Sequence, residues 1–139
     1  MSDLDPRDPL SQIVVRTEQV EGEQRALLAQ LILPFAGVNL EKGEVYFKST
    51  ADELLNAKQK ILVYLLCRLA LSTLTNATVS PYVSPKEIEL ATRQPGGTIR
   101  PKLSQLVTED KVIIKSGEGY TVPASYLNQI RSKNLLPIE

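Results

Sequence analysis

Residue types able to carry out catalysis are scarce in this chain. It has no histidine and a single cysteine, Cys67, so the usual general base near neutral pH is missing and no Cys/His metal site can be built. Cys67 lies in the most apolar stretch, where a buried structural thiol is expected. The acidic pairs Asp52-Glu53 and Glu109-Asp110 are explained as charges at helix ends. We therefore expect no enzymatic activity, no metal and no cofactor.

Residues 84–122 carry the clearest structural pattern. The sequence SPKE at residues 84–87 is a capping box, which predicts a helix that ends near Arg93, just before a proline. Gly96-Gly97 then predicts a tight turn with positive φ. The Gly-Lys-Ser/Thr end of a phosphate-binding loop does not follow these glycines. The pattern thus predicts two helices joined by a short turn.

The spacing of apolar residues is helical in the second helix and changes to that of strands in the residues after it. Thr98 is the expected cap and Pro101 lies in the expected first turn. Apolar residues form one stripe along this helix: Ile99, Leu103, Leu106 and Val107. The period then changes to that of strands at 111–115 and 120–122, joined by a turn at 116–119. We expect a β-hairpin after the helix.

This order of elements resembles the winged helix-turn-helix superfamily. The resemblance covers about 40 residues, or about 75 with the long preceding helix. The sequence GGTIRPKLSQLVTEDKVIIKSGEGYTV at 96–122 matches what such domains show at the recognition helix and wing. The resemblance implies a mainly α fold with a small β-hairpin wing, a winged helix-turn-helix preceded by an N-terminal extension of a helix and/or short strands.

The resemblance also implies binding to double-stranded DNA, with the second helix in the major groove. That helix would offer Thr98, Arg100, Lys102, Ser104, Gln105 and Thr108. Arg100 would suit guanine or phosphate, Gln105 adenine, and Lys102 phosphate. Residues flanking the helix would contact the DNA backbone: Lys111 and Lys115 on the wing, Lys86 and Arg93 on the preceding helix. The implied function is a transcription regulator or a DNA-associated adaptor.

The charge balance keeps a second interpretation open, a protein–protein interaction module in a larger complex. The chain carries 16 basic and 16 acidic residues, a net charge of zero. Residues 1–56 hold five basic against ten acidic side chains (net −5), so residues 57–139 hold eleven against six (net +5). The wing turn contains Glu118 and no Arg or Lys. A protein partner could bind the acidic N-terminal part.

Residues 1–48 form the predicted N-terminal extension. Residues 1–11 read as a loose tail, 13–15 as a possible short strand, and 23–33 as a helix whose last three residues could instead extend into a strand. Gly22 argues against an earlier helix start. Residues 37–42 are loop-like and 44–48 have strand composition. This strand could pair with the wing hairpin or form its own hairpin with residues 31–35.

The predicted winged-helix domain spans residues 49–133 and begins with a long helix at 51–74, capped by Ser49 or Thr50. The second half of that helix is apolar on nearly every face, so protein must surround it. Either the N-terminal extension covers it, or the same helix of a second subunit does. We favour a homodimer through residues 51–74 and the N-terminal extension.

The remaining predictions concern the C-terminal residues and the cellular compartment of the protein. A closing helix is expected at 123–133, followed by a tail at 134–139. The most apolar run, residues 61–74, contains Arg68 and is too short to span a membrane. The N-terminus is acidic and polar and does not resemble a signal peptide. A single cysteine fits a reducing compartment, so we expect a cytoplasmic protein without membrane contact.

Overall fold

Helices dominate the structure, a computed structural model that describes residues 5, 7–13 and 15–137. The α-helices are α1 (Thr17–Ile32), α2 (Ser49–Leu54), α3 (Ala57–Leu74), α4 (Pro85–Thr92), α5 (Gly96–Thr108) and α6 (Leu127–Ser132). The strands are β1 (Ala36–Asn39), β2 (Glu44–Phe47), β3 (Ile114–Ser116) and β4 (Gly119–Thr121). Short 3₁₀ helices lie at Pro9–Ile13 and Ala124–Tyr126. The mainly helical class with a small antiparallel hairpin is confirmed.

Helix α1 starts earlier than predicted and includes Gly22. Its first turn contains Glu18, which the helix dipole favours, and Gly22 is exposed inside the helix at a cost of about 1 kcal/mol relative to alanine. The helix continues through Ile32, so the alternative of a strand at 31–33 is wrong. The strand at 13–15 is also absent from what is described, because Ile13 ends a 3₁₀ helix and Val15 lies outside any element.

The predicted loose tail falls only partly within the described residues. Residues 1–4 and 6 lie outside them, as do residue 14 and residues 138–139. The rest of the predicted tail includes most of the Pro9–Ile13 helix, which has no buried residue. This helix carries exposed apolar side chains next to the start of α1.

Strand β2 confirms the strand predicted at 44–48, but its partner was not predicted correctly. It pairs antiparallel with β1, in the register Ala36↔Phe47 to Asn39↔Glu44. It pairs neither with the β3–β4 hairpin nor with residues 31–35. The predicted loop at 37–42 is therefore wrong for its first half. The turn proper is closed where the Lys42 amide donates to the Asn39 side chain (2.9 Å), before Gly43 at φ 63°.

The single helix predicted at 51–74 is wrong, because the chain breaks between α2 and α3. Leu55 is extended, and Asn56 caps α3 by accepting a hydrogen bond from the Gln59 amide (2.9 Å) while the Gln59 side chain accepts one from the Asn56 amide (3.0 Å). Asparagine competes with helical hydrogen bonds in an interior position and stabilises an N-terminus. Neither Ser49 nor Thr50 caps α2, whose N-cap is Lys48.

Asn56→Ala is expected to lower the free energy of unfolding by about 1 kcal/mol, because it removes one half of the capping box. Asn56→Asp is the matched control, since aspartate keeps the acceptor and carries a charge that the helix dipole favours. Urea denaturation of the three proteins measures the difference. Equal stability of the alanine variant and the wild type would contradict this role of Asn56.

Helix α3 is covered on both sides within one chain. Residues 61–67 are all buried. Helix α1 and β1 contact α3, as do α4, α5 and β4. One apolar cluster joins Leu27 of α1 to Leu136 after α6, so the tail predicted at 134–139 packs against the core at this point. Burial of α3 thus does not by itself require a second subunit, and the homodimer stays a prediction. Among the described residues, no helix combines the length and apolarity needed to cross a bilayer.

The capping box of α4 is confirmed: Ser84 accepts from the Glu87 amide at 3.2 Å, and the Ser84 amide is 3.4 Å from the Glu87 carboxylate. The turn after α4 differs from the prediction. Arg93 supplies the left-handed residue, at φ 56° and ψ 41°. The Gly96-Gly97 pair does not have positive φ and forms the first two positions of α5. The expected glycine turn is therefore wrong, because a single left-handed residue already reverses the chain.

Helix α5 consequently starts before the predicted cap. Pro95 is its N-cap residue and Thr98 is inside the helix, where its amide donates to the Pro95 carbonyl at 3.0 Å. The predicted cap at Thr98 is wrong. Pro101 lies beyond the first turn, inside the helix. Its missing amide forgoes one internal hydrogen bond.

The β3–β4 hairpin is shorter than predicted and has a third pairing partner. Strand β3 begins at Ile114, because Lys111 adopts φ 56° and the two buried residues after it are irregular. The predicted strand at 111–113 is therefore wrong. Val83, between α3 and α4, exchanges two 2.8 Å backbone hydrogen bonds with Tyr120 of β4. The closing helix predicted at 123–133 is present as the Ala124–Tyr126 turn followed by α6.

Candidate nucleic-acid interface

Helix α5 buries one face and exposes the other. Ile99, Leu103 and Leu106 are fully buried, and Val107 packs partly against the core, which confirms the predicted stripe. Successive residues are about 100° apart around the helix axis. The face opposite the stripe therefore has small or uncharged residues at its centre: Gly97, Pro101, Ser104 and Thr108. The Thr108 hydroxyl donates to the Ser104 carbonyl at 2.7 Å.

The two cations of α5 lie on different sides of the helix. Arg100 and Lys102 are two residues apart, which places them about 160° apart around the axis. Arg100 is exposed beside Ser104, whereas Lys102 is half-buried near the core-facing stripe. Gln105 and Thr98, both half-buried, flank the outer face on the side away from Arg100. The structure thus does not bring all the predicted α5 contacts onto one face.

Helix α4 exposes an alternating basic and apolar row. Lys86, Leu90 and Arg93 follow one another at spacings of four and three residues, so they share a face, and all three are exposed. Leu90 is 72% exposed. Arg93 also lies near Asp52: Lys60, and more weakly Arg93, hold the pKa of that exposed carboxyl below its usual value. Sequence reasoning missed Leu90 as a member of this surface.

The two lysines predicted on the wing lie in different settings. Lys115 is on β3, exposed, with its Nζ 5.7 Å from the centroid of the Tyr120 ring. This cation–π contact positions the ammonium on the hairpin. Lys111 lies in the turn that follows α5, so its placement on the wing is wrong. The neighbouring Asp110 pairs with Lys58 (2.9 Å), and its carbonyl accepts from Lys133 (2.6 Å).

The predicted basic contacts share one electrostatic property. Within the part of the chain that the structure describes, ion pairs engage Arg7, Lys58, Lys60 and Arg68. In that same part, no ion pair engages any of the predicted cations: Lys86, Arg93, Arg100, Lys102, Lys111 and Lys115. Their charges are thus available to an anionic partner without breaking an internal ion pair.

A carboxylate opposes this basic set at the start of α5. Glu89 lies so close to Gly96 that a methyl group on the glycine would sit 3.3 Å from a Glu89 carboxylate oxygen. Negative charge stabilises a helix N-terminus, so Glu89 supports α5. It also repels a phosphate from the free amides there. Sequence reasoning missed Glu89, because its proximity to α5 depends on the Arg93 turn.

Arg68 holds α4 against α3. Its guanidinium donates to the Ser80 carbonyl (2.8 and 3.2 Å), the Glu87 carboxylate (2.8 Å) and the Tyr64 hydroxyl (3.3 Å). Its side chain is only 12% exposed. Partial burial acts to raise the pKa of Glu87, but hydrogen bonds from Arg68 and Ser84 outweigh it and lower that pKa. This network fixes where α4 stands relative to the core.

Cys67 is buried in α3, as expected for a structural thiol. Burial raises its pKa to about 12, so almost none of it is thiolate at neutral pH. Within residues 5, 7–13 and 15–137 no three His, Cys, Asp or Glu side chains are grouped to hold a metal ion.

Comparison of the chain with protein-family models, with curated proteins and with solved structures found no match. Function has to be inferred from the geometry of the region from α3 to β4.

Proposed function

We propose that this chain is a winged-helix protein that binds double-stranded DNA, with α5 as the recognition helix and β3–β4 as the wing. The supporting observation is the order α3, Val83, α4, α5, β3, β4, in which Val83 pairs with β4. In many winged-helix domains a single strand between the first and second helices pairs with the wing hairpin. In the proposed winged helix, Val83 would be that strand, and its pairing with Tyr120 supports this assignment.

The outer face of α5 would lie in the major groove. Ser104 and Thr108 occupy its centre, where small polar side chains permit close approach to base edges. Arg100 on one flank would bind guanine or phosphate, and Gln105 on the other would pair with adenine. The backbone contacts would come from Lys86, Arg93 and Lys115. Thr98 would lie beside Gln105, while Lys102 and Lys111 would lie at the margin.

The affinity expected from this surface is moderate and strongly salt-dependent. Each phosphate neutralised contributes about 0.9 to the slope of log K against log salt, so four contacts by Lys86, Arg93, Arg100 and Lys115 give a slope of about −4. The zero net charge and Glu89 both limit non-specific binding. A cytoplasmic transcription regulator, or an adaptor that joins DNA to another protein, is the function that this surface fits.

Arg100→Ala is expected to weaken binding to a random-sequence duplex about tenfold and to reduce the salt slope by about 1. Lys102→Ala is the matched control: it removes the same charge from the same helix, but at the margin of the proposed groove and on the opposite side from Arg100. Its effect should be twofold or less. Fluorescence anisotropy at two salt concentrations measures both.

Two outcomes would contradict this proposal. Wild type that does not bind duplex DNA even at low salt has no DNA-binding surface of this kind. Equal losses for Arg100→Ala and Lys102→Ala would show that α5 does not present its outer face to DNA.

A protein-interaction module is the second candidate function. Leu90 favours it, because this side chain is largely exposed between Lys86 and Arg93 and apolar groups contribute little to a phosphate-binding surface. Glu118 at the tip of the hairpin favours it too. If duplex DNA does not bind, the face of α4 becomes the first surface to substitute in a search for protein partners.

A further inference from the structure

An apolar groove lies on the side of the molecule formed by α1, β1 and the end of α3. Its volume is about 320 Å³, and most of its lining is aliphatic: Leu28, Ala29, Ile32, Leu33, Val38 and Leu74. Leu33 on its rim is 67% exposed. Apolar surface of this kind is a site for another protein segment. None of the described residues before α1 lines the groove.

The segment before α1 has the complementary property. In the Pro9–Ile13 helix, Leu10 is 66% and Ile13 is 75% exposed. Both side chains are thus largely exposed, although the groove has room for more than one aliphatic side chain. Among the described residues, the chain therefore carries both an apolar groove and an apolar segment that none of those residues covers.

Charge complements the apolar match. Arg25 lines the groove, and the Lys48 ammonium lies at its rim, donating to the Leu33 carbonyl at 2.6 Å. The segment carries Asp8, whose carboxylate caps the Leu10 amide at 3.0 Å, and the Asp5–Arg7 pair. Residues 1–10 contain three aspartates and one arginine, a net charge of −2. The residues up to Ile13 thus combine a net negative charge with exposed apolar side chains, whereas the groove combines basic groups with an aliphatic lining.

We propose that the protein forms a symmetric dimer in which the Pro9–Ile13 segment of each copy docks in the groove of the other. An exchange of identical segments about a twofold axis repeats each contact twice. Leu10 and Ile13 enter the groove and Asp8 lies near Arg25 and Lys48. This places the dimer contact on α1, β1 and the last turn of α3, while α5 and β3–β4 lie outside the groove lining.

Disulfide trapping tests the exchange directly. The double variant Ile13→Cys/Thr73→Cys is expected to form a covalent dimer on mild oxidation, because Thr73 lines the groove. Cys67 stays silent, since it is buried with a pKa of about 12. The matched control is Leu40→Cys/Thr73→Cys, because Leu40, like Ile13, is an exposed aliphatic residue but lies in the β1–β2 turn. Covalent dimer in the first variant and not in the control supports the proposal.

Sedimentation equilibrium gives an independent measurement. Wild type should associate to a dimer as its concentration rises, and Ile13→Asp should weaken that association about tenfold or more, because it places a carboxylate against the aliphatic side chains that line the groove. Leu40→Asp should leave it unchanged. Wild type that is monomeric throughout, or a disulfide formed within one chain in the trapping experiment, would overturn the proposal. Neither outcome bears on DNA binding, which is measured separately.

Discussion

Gly119→Ala is expected to lower the free energy of unfolding by about 3 kcal/mol or more, the largest effect expected of a glycine-to-alanine change in this chain. Gly119 has φ 128°, a conformation that side-chain-bearing residues rarely adopt. The added methyl would lie 2.5 Å from the Val83 carbonyl oxygen and 2.8 Å from its carbon. Relief of this clash separates Val83 from Tyr120 and breaks two backbone hydrogen bonds. Urea denaturation measures the loss.

Gly117→Ala is the matched control, two residues away in the same hairpin. Its methyl would meet no atom within 4 Å, and its φ is outside the left-handed range. Its stability should equal that of the wild type. Hydrogen exchange separates this mechanism from general destabilisation, because the Val83 and Tyr120 amides should lose protection first in Gly119→Ala. A Gly119→Ala protein as stable as the wild type would show that Val83 and β4 are not paired in solution.

Arg68→Met is expected to cost about 2 to 3 kcal/mol of stability, because it removes the donor of the Ser80 carbonyl and the ion-pair partner of the Glu87 carboxylate while retaining most of the aliphatic length. This expected loss is smaller than for a fully buried ion pair, because the Glu87 side chain is about half exposed and solvent screens its charge. Arg131→Met is the control: this arginine is exposed on α6, and within the described residues its side chain makes one hydrogen bond, to Asn128. The control should change stability by less than about 0.5 kcal/mol.

The pH dependence of the free energy of unfolding tests whether loss of the Arg68–Glu87 contact causes this destabilisation. The pKa of Glu87 is lowered in the folded protein from its ordinary value of 4.5. A lowered folded-state pKa contributes stability that is present above pH 4.5 and is lost as the pH falls through the folded value. Arg68→Met removes the largest lowering contact, so its stability should fall less steeply below pH 4.5 than that of the wild type. Equal slopes in the two proteins would contradict the assigned contact.

The sequence predicted the elements whose signals are local. The capping box at residues 84–87 and the apolar stripe of α5 depend only on neighbouring residues, and both are confirmed. A second local signal was present but missed, because Asn56 and Gln59 also form a capping box. Apolar residues at helical spacing on both sides of Asn56 favoured one continuous helix instead. Gly22 was given too much weight, because a single exposed glycine costs less than the helix around it gains.

The features that position the candidate site depend on contacts distant in sequence. Val83 pairs with Tyr120, and Arg68 reaches Ser80 and Glu87. No local pattern indicates these contacts. Helix geometry alone predicts that Arg100 and Lys102 lie on different sides of α5. Both were assigned to the DNA contact because both are basic, without regard to that geometry. The position of Glu89 near Gly96 could not, because it requires the left-handed turn at Arg93.

The burial of α3 between two groups of elements has a consequence for synthesis on the ribosome. Chains emerge from the N-terminus, and domains can begin to fold before they are complete. Helix α1 and the β1–β2 hairpin emerge before α3 and can cover one of its sides at once. The other side of α3 is covered only after α4, α5 and β4 have been synthesised. During that interval the nascent chain exposes the side of α3 that α4, α5 and β4 later cover, and exposed apolar surface of this kind is what chaperones bind.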